Sequence, residues 1–228
     1  MPLLQHLNEL RSRVFKAFAA VLACTLVSFV AAPYLIDFLA GPLGGKDALV
    51  SIEVTENMGI FMRVSLLSGL LLAMPVIVYQ SLRFVLPGLK ANERGWLLLG
   101  VPVAWLLFAA GVAFAWFVML PVALPFLVNF MDITTQVRPS NYFEFITKLM
   151  FWIGLSFEMP LVIFLLAKFK FVTARQLVHG WRYAIVVIAL VGALITPTVD
   201  PINMLLVMLP LMALYAVSIL LARVAGRE

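Results

Sequence analysis

Residues 149–167 read LMFWIGLSFEMPLVIFLLA, nineteen residues bounded by Lys148 and Lys168. The run is otherwise apolar or nearly so, and its length is close to the roughly 20 residues needed to cross a bilayer. Glu158 is its middle residue. A carboxyl at that depth is costly, and such groups face a protein interior or a wet cavity. Pro160 follows two residues later and removes a backbone donor from the helical ladder. A span that tolerates both is more than a passive anchor.

The rest of the chain has the same character. Of its 228 residues 64% are hydrophobic and 12% charged, and the mean hydropathy is +1.09. Soluble domains are about half apolar and a quarter charged, so the fold is set by membrane spans. The single cysteine, Cys24, excludes an intrachain disulfide and a multi-cysteine metal site. His6 and His179 are far apart, which argues against a histidine metal cluster. The start, MPLLQHLNELRSR, is polar and basic with no small-residue cleavage pattern after it. The first span itself is therefore expected to direct insertion. The net charge of +5 comes from cations beside spans and not from a continuous basic patch, so nucleic acid is not an expected partner.

Apolar runs bounded by charges or proline predict six transmembrane helices, at roughly 15–39, 59–83, 96–120, 143–167, 182–196 and 202–222. The fold class is thus an all-α polytopic membrane protein forming a single domain over residues 1–228. The fifth span is short, because only fourteen residues separate Arg182 from Pro197. It is either a small hairpin packed by longer helices or a device that thins the bilayer. Residues 1–13 carry Leu3, Leu4, Leu7 and Leu10 at helical spacing with polar residues opposite. This segment is predicted to lie at the interface before the chain turns into the membrane.

Charge asymmetry predicts the orientation. With both termini inside, the cytoplasmic side holds twelve Lys and Arg residues and the outer side four: Lys46, Arg63, Arg138 and Lys148. The outer side is acidic, with Asp37, Asp47, Glu53, Glu56, Asp132, Glu144 and Asp200. Two outer segments, 40–58 and 121–142, are expected to cap the helices. In the first, LVSIEVTEN alternates like a short strand or extended piece. The second contains Pro121 and Pro125, which are expected to end the third span and leave a short helix around 122–130.

No phosphate-binding GxxxxGK[ST] loop and no HExxH are present, and the serines lack partners for acyl transfer. ATP hydrolysis, zinc chemistry and nucleophilic catalysis therefore have no candidate residues, and no cofactor is implied. A small proton-coupled transporter with Glu158 as proton carrier is the main rival reading. It predicts matched halves with broken helices, and no duplication is visible.

Several motifs together resemble the TatC family, the core subunit of the twin-arginine protein translocase. They are HLNELRSR at 6–13, GPL at 41–43, MPVIVYQSLRFVLPGLKANER at 74–94, SFEMP at 156–160, and a TP…D…P pattern from Thr196 to Pro210. The resemblance implies six tilted helices in a cupped arrangement. It implies a receptor for twin-arginine signal peptides that exports folded proteins with the single-span partners TatA and TatB. Transport would be driven by the proton-motive force, in the bacterial cytoplasmic (inner) membrane, with lipids and other copies of the chain as further partners. By the same resemblance, Glu93 matches the carboxylate that receives the arginines, Phe84 an aromatic of that site, and Glu9 and Arg11 its N-terminal pair. Pro42 matches a proline of the outer cap, Asp200 an outer-end acid, and Glu158 the intramembrane glutamate. The chain differs from the family's pattern at Lys90, Asn92, Met204 and Ala216.

Taken alone, the residues admit plainer roles. Glu93 could pair with Arg94 or Lys90 in a solvated loop, and Glu9 with Arg13 one helical turn on. Phe84 could be an interfacial anchor, and Glu158 could be satisfied by a neighbour such as Ser156 or by an exposed backbone group near Pro160. The physical case for a receptor is acid scarcity: Glu9, Glu93 and Glu228 are the only carboxylate side chains expected on the inner face. Guanidinium pairs bidentately with carboxylate, which lysine does not reproduce.

Overall fold

A computed structural model describes residues 3–46, 49–85, 94–128, 137–196 and 201–226. Those residues form helices and connections, with no strand among them. Five helical segments are long and apolar enough to cross a membrane, and the shorter apolar helix Trp181–Ile195 makes a sixth. The six-helix expectation holds. The chain divides into two compact units. One comprises residues 1–106 with 138–143, and the other 107–137 with 144–228.

In the first unit, α1 (Leu3–Ala40) is a single helix of 38 residues. At 1.5 Å per residue it is about 57 Å long, against an apolar bilayer core of about 30 Å. Helical geometry persists from Leu3 through the amphipathic segment into the span. A 3-10 turn (Gly41–Leu43) closes α1, and Pro42 occupies its first residues. Gly44, at φ 91°, donates its N–H to the Gly41 carbonyl at 3.0 Å, a backbone region that favours glycine.

The chain then passes through residues 49–55, where the alternating LVSIEVTEN pattern forms no strand, and enters α2 (Glu56–Val85). Helices α1 and α2 pack along their length. A Cβ on Gly69 would lie 2.6 Å from the Thr25 Cα and 2.7 Å from its nitrogen, so the two backbones meet where only glycine fits. Phe29 and Phe61 stack at 5.4 Å, and Ala32, Val64, Ser65 and Ala73 are buried.

Helix α3 (Arg94–Phe114) continues through a π turn (Ala115–Met119) into α4 (Leu120–Val128). Pro121 and Pro125 were expected to end this span, yet helical structure runs past both. The π turn explains how. Leu120 donates to the Ala115 carbonyl, five residues back, so the ladder widens just before Pro121, which has no N–H to give.

In the second unit α5 (Pro139–Phe157), whose first residues belong to the first unit, faces α3 at a glycine pair. A Cβ on Gly111 would lie 2.8 Å from the Gly154 Cα. Phe108, Leu149 and Ile153 are fully buried around this crossing. After Glu158 comes α6 (Met159–Lys168), then α7 (Ala174–His179), α8 (Trp181–Ile195) and α9 (Pro201–Ala225). Helix α7 starts at a capping box, because Thr173 Oγ1 accepts from the Gln176 N–H at 3.3 Å and the Gln176 side chain accepts from the Thr173 N–H at 2.9 Å. Tyr215 of α9 donates its hydroxyl to the Leu177 carbonyl at 2.7 Å. Ala167, Ala222 and Ala225 form a small buried cluster joining α6 to α9.

Candidate functional site

Glu158 occupies the one-residue interruption between α5 and α6. Pro160 cannot donate to Ser156, so the ladder lapses locally. The Glu158 N–H reaches only the Leu155 carbonyl at 3.1 Å, and pairing resumes with Val162 N–H to Glu158 O at 3.0 Å. The side chain is buried, and its Oε1 has no hydrogen-bond partner among the described residues. Ser156 does not satisfy it, because that hydroxyl donates to the Trp152 carbonyl at 2.7 Å. A buried acceptor left unpaired costs about 1–3 kcal/mol.

In the first unit, Glu9 forms an ion pair with Arg13, whose Nε donates to Oε1 at 3.0 Å. Arg13 also extends to the Gln80 side chain of α2 at 3.4 Å. The plainer sequence expectation for Glu9, a pair one turn along its own helix, is therefore what the fold holds. The same pair ties Glu9 to α2, and Phe84, half-buried, lies one turn after Gln80 on that helix. Arg11 is exposed, with its guanidinium 5.9 Å from the Phe15 ring centre. Pro42 is exposed on its 3-10 turn. Glu93 and Asp200 lie outside the described residues. Among those described, no three His, Cys, Asp or Glu residues cluster as a metal site.

A carboxylate that sequence reading passed over as one outer acid among several proves central to the first unit. Glu56 opens α2 with its side chain only 1% exposed. Its Oε2 accepts from the Ile52 N–H at 3.1 Å and the Ser51 hydroxyl at 3.2 Å. Its Oε1 accepts from Arg138 Nε at 3.0 Å and the Ser140 N–H at 2.8 Å. Arg138 also pairs with Glu53 at 2.7 Å. These bonds, to Glu53 and then Glu56, hold the Arg138 guanidinium above its usual range. Nearby, Tyr142 donates to the Leu39 carbonyl at 2.8 Å. One carboxylate thus joins the connection before α2 to the start of α5. The local signal was Arg138 directly before Pro139, a helix-starting proline, but nothing in it names Glu56 as partner.

Helices of this length and apolarity, with isolated buried polar groups and no metal cluster among the described residues, define a polytopic integral membrane protein. A model of the family described as Sec-independent protein translocase protein (TatC) matches residues 5–210. The chain is 36% identical over 238 residues to the Sec-independent protein translocase protein TatC of Aquifex aeolicus, covering 100% of this chain and 97% of that one. It is 37% identical over 230 residues to the chloroplastic TATC of Arabidopsis thaliana, covering 100% of this chain and 68% of that one. A crystal structure described as that of the twin arginine translocase receptor TatC superposes with a TM-score of 0.88 at 34% identity, over 97% of this chain and all of that one. The chain belongs to the TatC family, as a membrane-embedded subunit of the Sec-independent, twin-arginine translocase.

Proposed function

We propose that this chain is the signal-peptide receptor and scaffold of its translocase. It captures the consecutive arginines of a cargo's signal peptide at the cytoplasmic face and helps move the folded cargo outward. The observation that carries the reading is the placement of Glu9. Through Arg13 it is tied to Gln80, one turn before Phe84, and the next inner acid, Glu93, follows nine residues later in the chain. Glu9, Arg11, Phe84 and Glu93 form the recognition site. Arg13 occupies Glu9 at rest, so Glu93 makes the primary contact and Glu9 is recruited by exchange of one guanidinium for another. Exposed ion pairs supply only about 0–1 kcal/mol each. The arginines give register, while burial of the peptide's apolar segment supplies affinity at about 25 cal/mol per Å².

The chain resides in the bacterial cytoplasmic membrane with both termini inside, as twelve cations against four support. Pro42 and Asp200 belong to the outer cap. Glu158, with its unpartnered Oε1, receives a polar group of a TatA- or TatB-type helix. Transport draws on the proton-motive force, in keeping with the lack of a nucleotide-binding loop. Equilibrium binding of a labelled twin-arginine peptide to the purified protein tests the reading. Glu93→Gln and Glu9→Gln should each weaken binding about fivefold, with the loss larger for Glu93→Gln. Unchanged affinity in both variants overturns it.

A further inference from the structure

We propose that the exposed face of α1 carries a binding site for the phosphodiester headgroup of an acidic phospholipid. Asn8, Arg11, Ser12, Phe15, Lys16 and Ala19 line a shallow groove there, and all six are exposed. Glu9, Arg13 and Ala17 lie on the neighbouring, half-buried side of the helix, where Arg13 reaches α2. The groove therefore faces away from the helix pair.

Its two cations differ from several others in the protein. Arg13, Lys46, Arg138 and Lys148 each pair with a carboxylate. Among the described residues, Arg11 meets only the Phe15 ring and Lys16 meets no acid. A pair of cations without a carboxylate between them leaves positive charge for an anion to neutralise. The Asn8 amide and the Ser12 hydroxyl add hydrogen-bond donors on the same face.

The location selects the kind of anion. Immediately beyond the groove the same helix exposes Phe18, Leu22 and Leu26, an apolar surface that acyl chains cover. Phosphate at Arg11 and Lys16 with chains along Phe15, Ala19 and Leu22 matches one diacyl lipid in the leaflet at the N-terminal end of α1. A soluble phosphate would use only the upper half of this surface. Arg11 also belongs to the proposed recognition site, so lipid and signal peptide share one of the two cations, while Lys16 serves the lipid alone.

Native mass spectrometry of the detergent-solubilised protein, titrated with phosphatidylglycerol, tests the proposal. One lipid should bind more tightly than phosphatidylcholine, and neither inorganic phosphate nor soluble glycerophosphoglycerol should displace it. Each cation near a membrane surface contributes about a fivefold factor. Lys16→Gln should therefore weaken the site about fivefold, and Arg11→Gln with Lys16→Gln about 25-fold. Arg223→Gln, at the far end of the chain, should change nothing. Equal loss in the Arg223→Gln control, or full binding to the double variant, overturns the proposal. Displacement by inorganic phosphate would show an anion site and overturn the lipid assignment.

Discussion

Glu56 and Arg138 stand 82 residues apart in the chain and share a hydrogen bond of 3.0 Å. The carboxylate is buried, and its other bonds go to backbone N–H groups and to Ser51. Breaking such a network strands a buried polar group. Glu56→Gln and Arg138→Gln should each lower the thermal midpoint of the purified protein by about 5 °C, and the double variant by little more than either. Full additivity in the double-mutant cycle would show that the two side chains act independently.

Gly111 and Gly154 fix the approach of α3 to α5. A Cβ on Gly111 has nowhere to go but into the Gly154 Cα at 2.8 Å and the Phe157 ring at 2.9 Å. Gly111→Ala should cost about 1–3 kcal/mol. Gly59, also helical, has no atom within 4 Å of its Cβ position, so Gly59→Ala should be neutral or stabilising by up to about 1 kcal/mol. Thermal unfolding in detergent ranks the two variants, and equal effects would contradict the close helix crossing.

Glu158 is a group whose burial opposes stability. Replacing it with leucine, of similar volume, removes an acceptor that lacks a partner. The isolated protein should gain about 1 kcal/mol, while co-purification of TatA- and TatB-type subunits should fall several-fold. A stability loss with normal subunit yield would place the residue in the core of the fold and not at a partner contact.

Helix α8 has 15 residues and is about 23 Å long. An apolar bilayer core is about 30 Å thick. Spin labels at Tyr183 and Leu194, both exposed, should report a membrane several ångströms thinner beside α8 than beside α2. Equal thickness at both helices would mean that flanking residues make up the length.

The spans were legible because each is an apolar run ended by charge or proline, a signal carried by local composition. Glu158 was legible for the same reason, as the one acid in a nineteen-residue, nearly apolar run. Three features were not. The continuity of α1 depends on residues 10–16 staying helical while their polarity changes, and periodicity alone does not separate a bend from a straight helix. The passage of α3 through a π turn into α4 was hidden because Pro121 and Pro125 are ordinary helix breakers, and nothing local to the sequence marks the five-residue bond from Leu120 to Ala115 that precedes Pro121. The Glu56 network was hidden because its partner is 82 residues away. In the proposed recognition site, the Glu9–Arg13 pair was readable from spacing, whereas the reach of Arg13 to Gln80 required the packing of α1 on α2.

The central claim is that a few inner carboxylates read a cargo's paired guanidinium groups. Site-specific photocrosslinking from position 93 to a twin-arginine signal peptide tests it most directly, with a twin-lysine peptide as control. The account predicts a strong adduct with arginine, about tenfold weaker with lysine because a lysine ammonium cannot make the bidentate contact. Equal adducts with the two peptides, or none with either, would contradict it.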